Sequence, residues 1–320
     1  MSFSSNAKDE LVKIRLKGRL EKLCLLCALT NAAGSLTLGQ GGRLGVSYVT
    51  ESHSVGRLAA STAQRLYRGL EASISVRERE GLHARCTVVR ISGPDCVKLI
   101  KELGIISDGP QGAVFISSIP GHLITGELGR VFLRGAFLGA GSISDPVKVQ
   151  GYHLELIARK AGYRDVLSDL IQGNGLAAKS VFRNGNHVVY IKDGEMISDF
   201  LTLIGAQGMT LDFENARVVK SFRNKLNRAN NCESANMDKT ARAAVSQIAA
   251  IRIIQNAVGL EHLPPALREM AEIRINYPEA SLSDMSRIAG IGKSGVNHRL
   301  QKLLEMARQI EVCRKGDGYV

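Results

Sequence analysis

Leu26-Cys27-Ala28-Leu29-Thr30-Asn31-Ala32-Ala33-Gly34-Ser35-Leu36 and Leu133-Arg134-Gly135-Ala136-Phe137-Leu138-Gly139-Ala140-Gly141-Ser142-Ile143 are two versions of one pattern. Each is a helix of small and apolar residues that ends at glycine and passes into a strand. Recurrence at a fixed order marks a duplicated unit. Ile74-Ser75-Val76-Arg77-Glu78-Arg79-Glu80-Gly81 matches Lys179-Ser180-Val181-Phe182-Arg183-Asn184-Gly185, and His83 to Ile91 matches His187 to Ile191. Helices with apolar spacing follow at Cys96–Leu103 and Met196–Ile204. Each copy therefore reads helix, two strands, helix, two strands, helix: an α+β unit, αββαββα, with helices on one face of an antiparallel sheet. Helices so rich in Gly, Ala and Ser suit a close contact on a pseudo-twofold axis.

A different pattern follows. In Ser281-Leu282-Ser283-Asp284-Met285-Ser286-Arg287-Ile288-Ala289-Gly290-Ile291-Gly292-Lys293-Ser294-Gly295-Val296-Asn297-His298-Arg299-Leu300, Leu282, Met285 and Ala289 share one helical face, and Val296, Leu300 and Leu303 share another. Ser281 is a candidate N-cap and Gly290 a helix stop. This predicts a helix-turn-helix. Lys293, Ser294, Asn297, His298, Arg299 and Lys302 occupy the second helix's outward side, where their donors and acceptors suit phosphates and base edges. An αα-hairpin with a solvated face is the alternative reading. Asp238 to Val258 reads as a long helix with Ala243, Ile248, Ile251 and Ile254 as core candidates, and Ala266 to Ile275 as another, giving an all-α bundle.

Charge points the same way. The 320 residues hold 42 Lys+Arg against 30 Asp+Glu, a formal charge of +12, which favours a polyanionic partner. The densest cluster is Arg217, Lys220, Arg223, Lys225 and Arg228, interleaved with Val219, Phe222 and Leu226 at helical spacing. An amphipathic basic helix is expected, broken or capped by Asn227, Asn230, Asn231 and Asn236. Phosphate contacts, a solvated linker and membrane-surface binding are its three readings. The last is disfavoured by a short apolar face and the absence of Trp. No apolar run approaches the ~18 residues of a membrane span. The polar start lacks a signal-peptide core, so a cytoplasmic, nucleoid-associated location is expected.

Other motifs are weaker. Cys24 and Cys27 form a CxxC inside an apolar run, without the further ligands that structural zinc needs, and read as buried thiols. Gly39-Gln40-Gly41-Gly42 joins two strand-like runs and reads as a hairpin turn, not a phosphate cradle. Ser75, Arg77 and Arg79 alternate to one strand face, opposite Ile74 and Val76, with Lys179 and Arg183 as their counterparts. That face reads equally as a nucleic-acid contact or as solvated sheet.

The twice-occurring glycine-ended helix with its strands resembles the LAGLIDADG homing-endonuclease fold. In that family an acidic residue precedes the motif's final glycine and holds divalent metal; here those positions are Ala33 and Ala140. The resemblance thus implies an inherited scaffold without metal, cofactor or enzyme activity. Asp145 reaching the site from a strand is the alternative. Together with Asn227-Arg228-Ala229-Asn230-Asn231-Cys232-Glu233-Ser234-Ala235-Asn236 and Lys293 to Leu300, the chain closely resembles the WhiA family over nearly its whole length. That resemblance implies a bacterial, sequence-specific double-stranded DNA-binding regulator linked to sporulation, cell division or chromosome segregation. It also implies a regulatory protein partner, which in some relatives carries an iron–sulfur cluster. The expected organisation is residues 1–120 and 121–215 as the LAGLIDADG-like halves, 216–235 as basic connector, 236–313 as helix-turn-helix domain and 314–320 as a flexible tail. An active homing-type endonuclease and a DNA-tethered interaction scaffold are the competing functions.

Overall fold

The structure, a computed structural model, describes residues 2–39, 42–79, 84–110, 112–148 and 151–316. The chain packs as two compact units, Met1–Ser221 and Phe222–Val320.

In the first unit the duplication is explicit. Helix α1 (Phe3–Leu11) precedes copy one: α2 (Arg19–Ala33), β1 (Gly34–Leu38), β2 (Leu44–Thr50), α3 (His53–Leu66), β3 (Glu71–Arg79), β4 (Ala84–Ser92) and α4 (Cys96–Glu102). A hairpin, β5 (Ile106–Gly109) and β6 (Gly112–Phe115), separates it from copy two. Copy two runs α5 (Glu127–Ala140), β7 (Gly141–Ile143), β8 (Leu154–Ala158), α6 (Ala161–Gly173), β9 (Lys179–Arg183), β10 (Asn186–Ile191) and α7 (Gly194–Ile204). Each copy forms an antiparallel four-stranded sheet with the same order, β1-β2-β4-β3 and β7-β8-β10-β9. The αββαββα order read from the repeat is present twice.

Helices α2 and α5 pack on one another at the centre of this unit. A Cβ on Gly135 would lie 2.7 Å from the Ala28 Cβ, and one on Gly139 2.6 Å from the Ala32 Cβ. The small residues are therefore what lets the two backbones meet. Leu25, Leu26, Leu29, Phe132, Leu133 and Phe137 fill the surrounding core. Helix α3 covers one face of the first sheet and α6 the matching face of the second, which leaves the opposite faces open.

Two elements were not anticipated. The β5–β6 hairpin has no periodic signature over its short strands. Helix α1 does: Phe3, Ala7 and Leu11 recur every four residues within a polar, mixed-charge stretch. Its Ser4 hydroxyl donates to Ile143 O (2.8 Å) and accepts from Ile143 N–H (2.7 Å). Its Glu10 carboxylate accepts from the amides of Gly208 (2.8 Å) and Met209 (2.9 Å), neutralising the open start of α8 (Gln207–Ala257).

The unit boundary falls inside α8. The second unit continues through α9 (Pro265–Asn276), α10 (Leu282–Ala289) and α11 (Lys293–Gly316). Three expectations need correction here. Asn227, Asn230, Asn231 and Asn236 neither break nor cap the helix; all lie within α8 and are exposed. Asparagine costs under ~0.7 kcal/mol per helical position relative to alanine, too little to stop a helix without a glycine or proline. Ala243 is exposed, and the buried line is Ala244, Gln247, Ile251 and Ile254. That 3-4-3 spacing turns Ala243 about 100° away from the core. Arg314 to Gly316 belong to α11 and not to a frayed tail; residues 317–320 lie outside the described residues. Gln40, Gly41, Glu80, Gly81 and His83, on which earlier readings touched, lie outside them as well. The flanks of the first turn do form a hairpin, with Gly39 N–H donating to Arg43 O at 2.8 Å.

Candidate nucleic-acid interface

Helices α9, α10 and α11 pack pairwise around Met270, Met285, Val296, Leu300 and Leu303, all at most 1% exposed. Local chemistry fixes each turn. Ser281 caps α10 reciprocally: its hydroxyl accepts from Asp284 N–H (3.3 Å) while the Asp284 carboxylate accepts from Ser281 N–H (3.2 Å) and Oγ (2.6 Å). Those Ser281 bonds, with Arg287 and Lys293 nearby, hold the Asp284 carboxyl below its usual range. Gly290 ends α10 at φ +65°, a conformation that penalises any residue with a Cβ. Ser286 Oγ donates to Ile291 O across the turn (2.5 Å).

Arg274 is the residue that sequence reading missed. It is 2% exposed, and its Nη1 donates to Ala280 O (2.8 Å) and Pro278 O (3.4 Å). Burial lowers its pKa. It ties α9 to the segment that presents the Ser281 cap. The signal was present as a helical phase: Leu267, Met270, Ala271 and Arg274 share one face.

On α11 the buried line Val296, Leu300, Leu303 and Ala307 faces the bundle. Lys293, Ser294, Asn297, His298 and Lys302 are exposed, together with Gln301, which lies between Asn297 and His298 in helical phase. Arg299 stands apart. It is half-buried on the flank toward α9, with Nη1 at 3.1 Å from Glu269 Oε2 and 3.5 Å from Ala266 O. Five of the six expected residues are thus exposed, Ser294, Asn297 and His298 clustered in phase with Lys293 and Lys302 at either side, and the sixth is tied to a neighbouring helix.

The basic cluster on α8 also divides. Arg217 pairs with Glu214 (2.6 Å), and Lys220 donates to Pro146 O (3.4 Å) and lies over the Tyr152 ring (4.7 Å). Arg223, Lys225 and Arg228 are exposed, with the Arg228 Nε donating to Asn224 O (3.3 Å). Val219, Phe222 and Leu226 are all exposed, Phe222 at 64%. Over this stretch of α8 the apolar stripe covers no core.

Strand register defines the open sheet faces. Ser75 opposes Val88 and Arg77 opposes Cys86, so both point away from α3, as does Arg90 opposite Ser47. Ile74 and Val76 pair with the core-facing Val89 and Thr87, as alternation predicted. Lys179 opposes Tyr190 and Arg183 opposes Asn186 on the second sheet. There Glu155 holds Arg183 in an ion pair and lies 3.2 Å from His153. Apolar Val49 and Ile157 sit exposed among these groups. The open faces are therefore mixed, not uniformly cationic.

At the helix bases Ala33 is buried and Ala140 half-buried. Asp145 is occupied elsewhere, accepting from Val147 N–H (3.0 Å) and pairing with Lys148 (3.5 Å). Among the described residues no three His, Cys, Asp or Glu side chains gather as a metal site. Cys24 and Cys27 are fully buried, their thiols aimed at Leu128 O and Leu103 O. Burial pushes the Cys27 pKa up to about 12 and that of Cys24 higher still, as for thiols packed in a core. Among the described residues no helix is long and apolar enough to cross a membrane.

Known proteins match this architecture along its length. The WhiA LAGLIDADG-like domain matches residues 129–223 and the WhiA C-terminal HTH domain residues 226–307. A "Probable cell division protein WhiA" of Clostridium acetobutylicum is 37% identical over 97% of this chain and 98% of its own. Its namesake in Thermoanaerobacter sp. is 39% identical over 98% and 99%. The crystal structure of full-length DUF199/WhiA from Thermatoga maritima shares the fold at a TM-score of 0.58 and 23% identity, covering 97% of this chain and 99% of that one. With two domain matches in the expected order and relatives of this identity end to end, the chain belongs to the WhiA family.

Proposed function

We propose that the protein is a sequence-specific double-stranded DNA-binding regulator that works in the cytoplasm at the nucleoid. The observation that carries this reading is the outward face of α11: Lys293, Ser294, Asn297, His298 and Lys302 are exposed together on the second helix of a capped, glycine-turned pair. A helix so presented fits a major groove, with amide and imidazole groups at base edges and lysines at phosphates. Arg299 joins them by exchanging Glu269 for DNA, at the cost of an exposed pair, ~0.2–1 kcal/mol. Arg217, Lys220, Arg223, Lys225 and Arg228 add phosphate contacts without sequence preference, Arg223, Lys225 and Arg228 most directly. The relatives' name supports a role in cell division; sporulation and chromosome segregation are further settings for the same activity.

The duplicated domain acts on this reading as a non-enzymatic scaffold, because Ala33 and Ala140 offer no carboxylate for a metal. Its open faces, where Glu155 offsets Arg183 and Val49 and Ile157 are exposed, favour a regulatory protein partner over bare phosphate binding.

The test is genome-wide occupancy, followed by footprinting of the strongest site and titration of variants. Asn297→Ala and His298→Ala should each weaken that site by ~1–3 kcal/mol if they read base edges. Lys302→Ala should weaken all sequences alike. Undiminished site affinity in a folded Asn297→Ala/His298→Ala double variant would refute the assignment.

A further inference from the structure

The first unit contains a second cationic feature that neither the helix-turn-helix nor the open sheet faces absorb. The segment after α1, with α2 and α3, borders an open cavity of about 530 Å³ at whose rim Lys13, Arg15 and Arg65 are exposed and Lys22 is half-buried. Lys13 and Arg15 reach it from that segment, Lys22 from α2 and Arg65 from the last turn of α3. Three separate pieces of chain thus bring four positive charges to one cavity, and no acidic residue lines it among the described residues. None of the four side chains makes an ion pair or hydrogen bond with another described residue. At the neighbouring groove lined by Arg19 and Lys101, by contrast, Arg19 is matched by Glu102 and Lys101 by Asp108; Lys98 on α4 likewise pairs with Asp95. Unmatched like charges repel, and a cavity with low-dielectric walls focuses their field on whatever anion enters.

The remaining walls are Val12, Ile14, Leu16 and Leu58, with Thr62 as a hydroxyl. Duplex DNA is too wide for such a space, while a volume in the 300–1,000 Å³ range suits a small molecule. The cavity also opens on the wrong side for DNA on the sheet. Helix α3, which supplies Leu58, Thr62 and Arg65, covers the face bearing Thr87 and Val89, whereas Arg77 and Arg90 belong to the opposite face. We propose that this cavity binds a small molecule carrying several phosphoryl groups, held by Lys13, Arg15, Lys22 and Arg65. The guanidinium groups supply paired N–H donors to phosphate oxygens and the lysines add point charge. This inference is independent of the DNA-reading helix.

The probes are ATP and inorganic tripolyphosphate, titrated calorimetrically into the full chain at about 0.1 M salt, where screening of exposed charges is already substantial. Saturable binding of either probe at one site per chain is expected. Lys22→Gln/Arg65→Gln and, separately, Lys13→Gln/Arg15→Gln should each weaken it at least tenfold, while Lys98→Gln leaves it unchanged. Circular dichroism and thermal melting confirm that the variants fold, and the two pairs on different segments guard against one that does not. Failure of both probes to bind at millimolar concentration would overturn the proposal, and so would binding indifferent to both double variants. A third overturning result is loss of DNA-fragment affinity in those variants with neither probe bound, which would assign the cations to duplex phosphates.

Discussion

Gly139→Ala is a one-methyl change whose outcome the α2–α5 contact decides. Two effects oppose. Alanine is favoured over glycine inside a helix by about 1 kcal/mol. Against this, the new Cβ would lie 2.6 Å from the Ala32 Cβ, when carbon atoms need about 3.5–4.0 Å. Relief requires the helices to part by about 1 Å, and a gap of that size forfeits a quarter to a half of each contact's ~0.1–0.2 kcal/mol. If about 60 atom contacts along the seam lose a third each, the loss is about 3 kcal/mol. Packing therefore outweighs propensity, and the variant should be destabilised by about 2 kcal/mol, within the range seen for overpacked cores. Ala32→Gly alone should also cost about 2 kcal/mol, from helix propensity and one lost buried methyl. The double variant exchanges the two residues across the seam. It should return to within about 1 kcal/mol of the parent, a coupling of about 3 kcal/mol, at the upper end for residues in contact. Urea unfolding of the full chain, followed by circular dichroism through the first unit's transition, measures all three. A Gly139→Ala variant as stable as the parent, or a double variant at the additive sum near 4 kcal/mol, would refute the close-approach argument.

Four further outcomes are expected. Replacing Arg223, Lys225 and Arg228 with Gln should flatten the slope of log K against log salt by up to about 3, at roughly 0.9 per lost phosphate contact, with the preferred site unchanged; an unaltered slope in fluorescence anisotropy would make this stretch a spacer or a protein-facing surface. The purified protein should leave supercoiled DNA intact in Mg²⁺ or Mn²⁺, and metal-dependent nicking abolished by a point substitution in the first unit would restore the endonuclease reading. Iodoacetamide at pH 8 should label the exposed Cys232 and Cys313 and spare Cys24 and Cys27. Because burial raises the last two thiols' pKa in the folded state only, their contribution to stability is whole below the unfolded pKa of about 8.5 and fades as pH rises toward about 12; peptide mapping and alkaline unfolding curves check both statements.

Much of this was legible because it rests on local pattern. The duplicated helix–glycine–strand unit and the Val296-Leu300-Leu303 line are periodic, and periodicity survives without tertiary information. Ser281 and Gly290 were readable as caps for the same reason. What escaped depends on tertiary partners that local pattern does not show. Helix α1 is polar on average, and its three apolar residues gain meaning only against the elements the helix meets, α3, α5, β7 and Phe213 of α8. Arg299 looked free because its phase could not reveal Glu269 thirty residues earlier. Arg274 drew no notice although it shares a helical face with Leu267, Met270 and Ala271; its bonds to Pro278 O and Ala280 O show its place. The asparagine-rich run misled in the opposite way: a composition that favours turns was overruled in an exposed helix where nothing else competes.

The bonds from Glu10 to the amides of Gly208 and Met209 span 198 and 199 residues. On a ribosome adding about 5–20 residues each second, helix α1 is synthesised roughly 10–40 s before the backbone it caps exists. For the first part of that interval α1 lacks α5 and β7 of copy two and Ser4 waits for Ile143; Phe3 waits longer, for Phe213. The nascent chain therefore carries α1 only partly satisfied over that stretch of translation, its Asp9 able to meet Ser54 of α3 but its later partners still missing. An early helix thus completes its contacts late, and α1 is a natural client for chaperones that greet emerging chains.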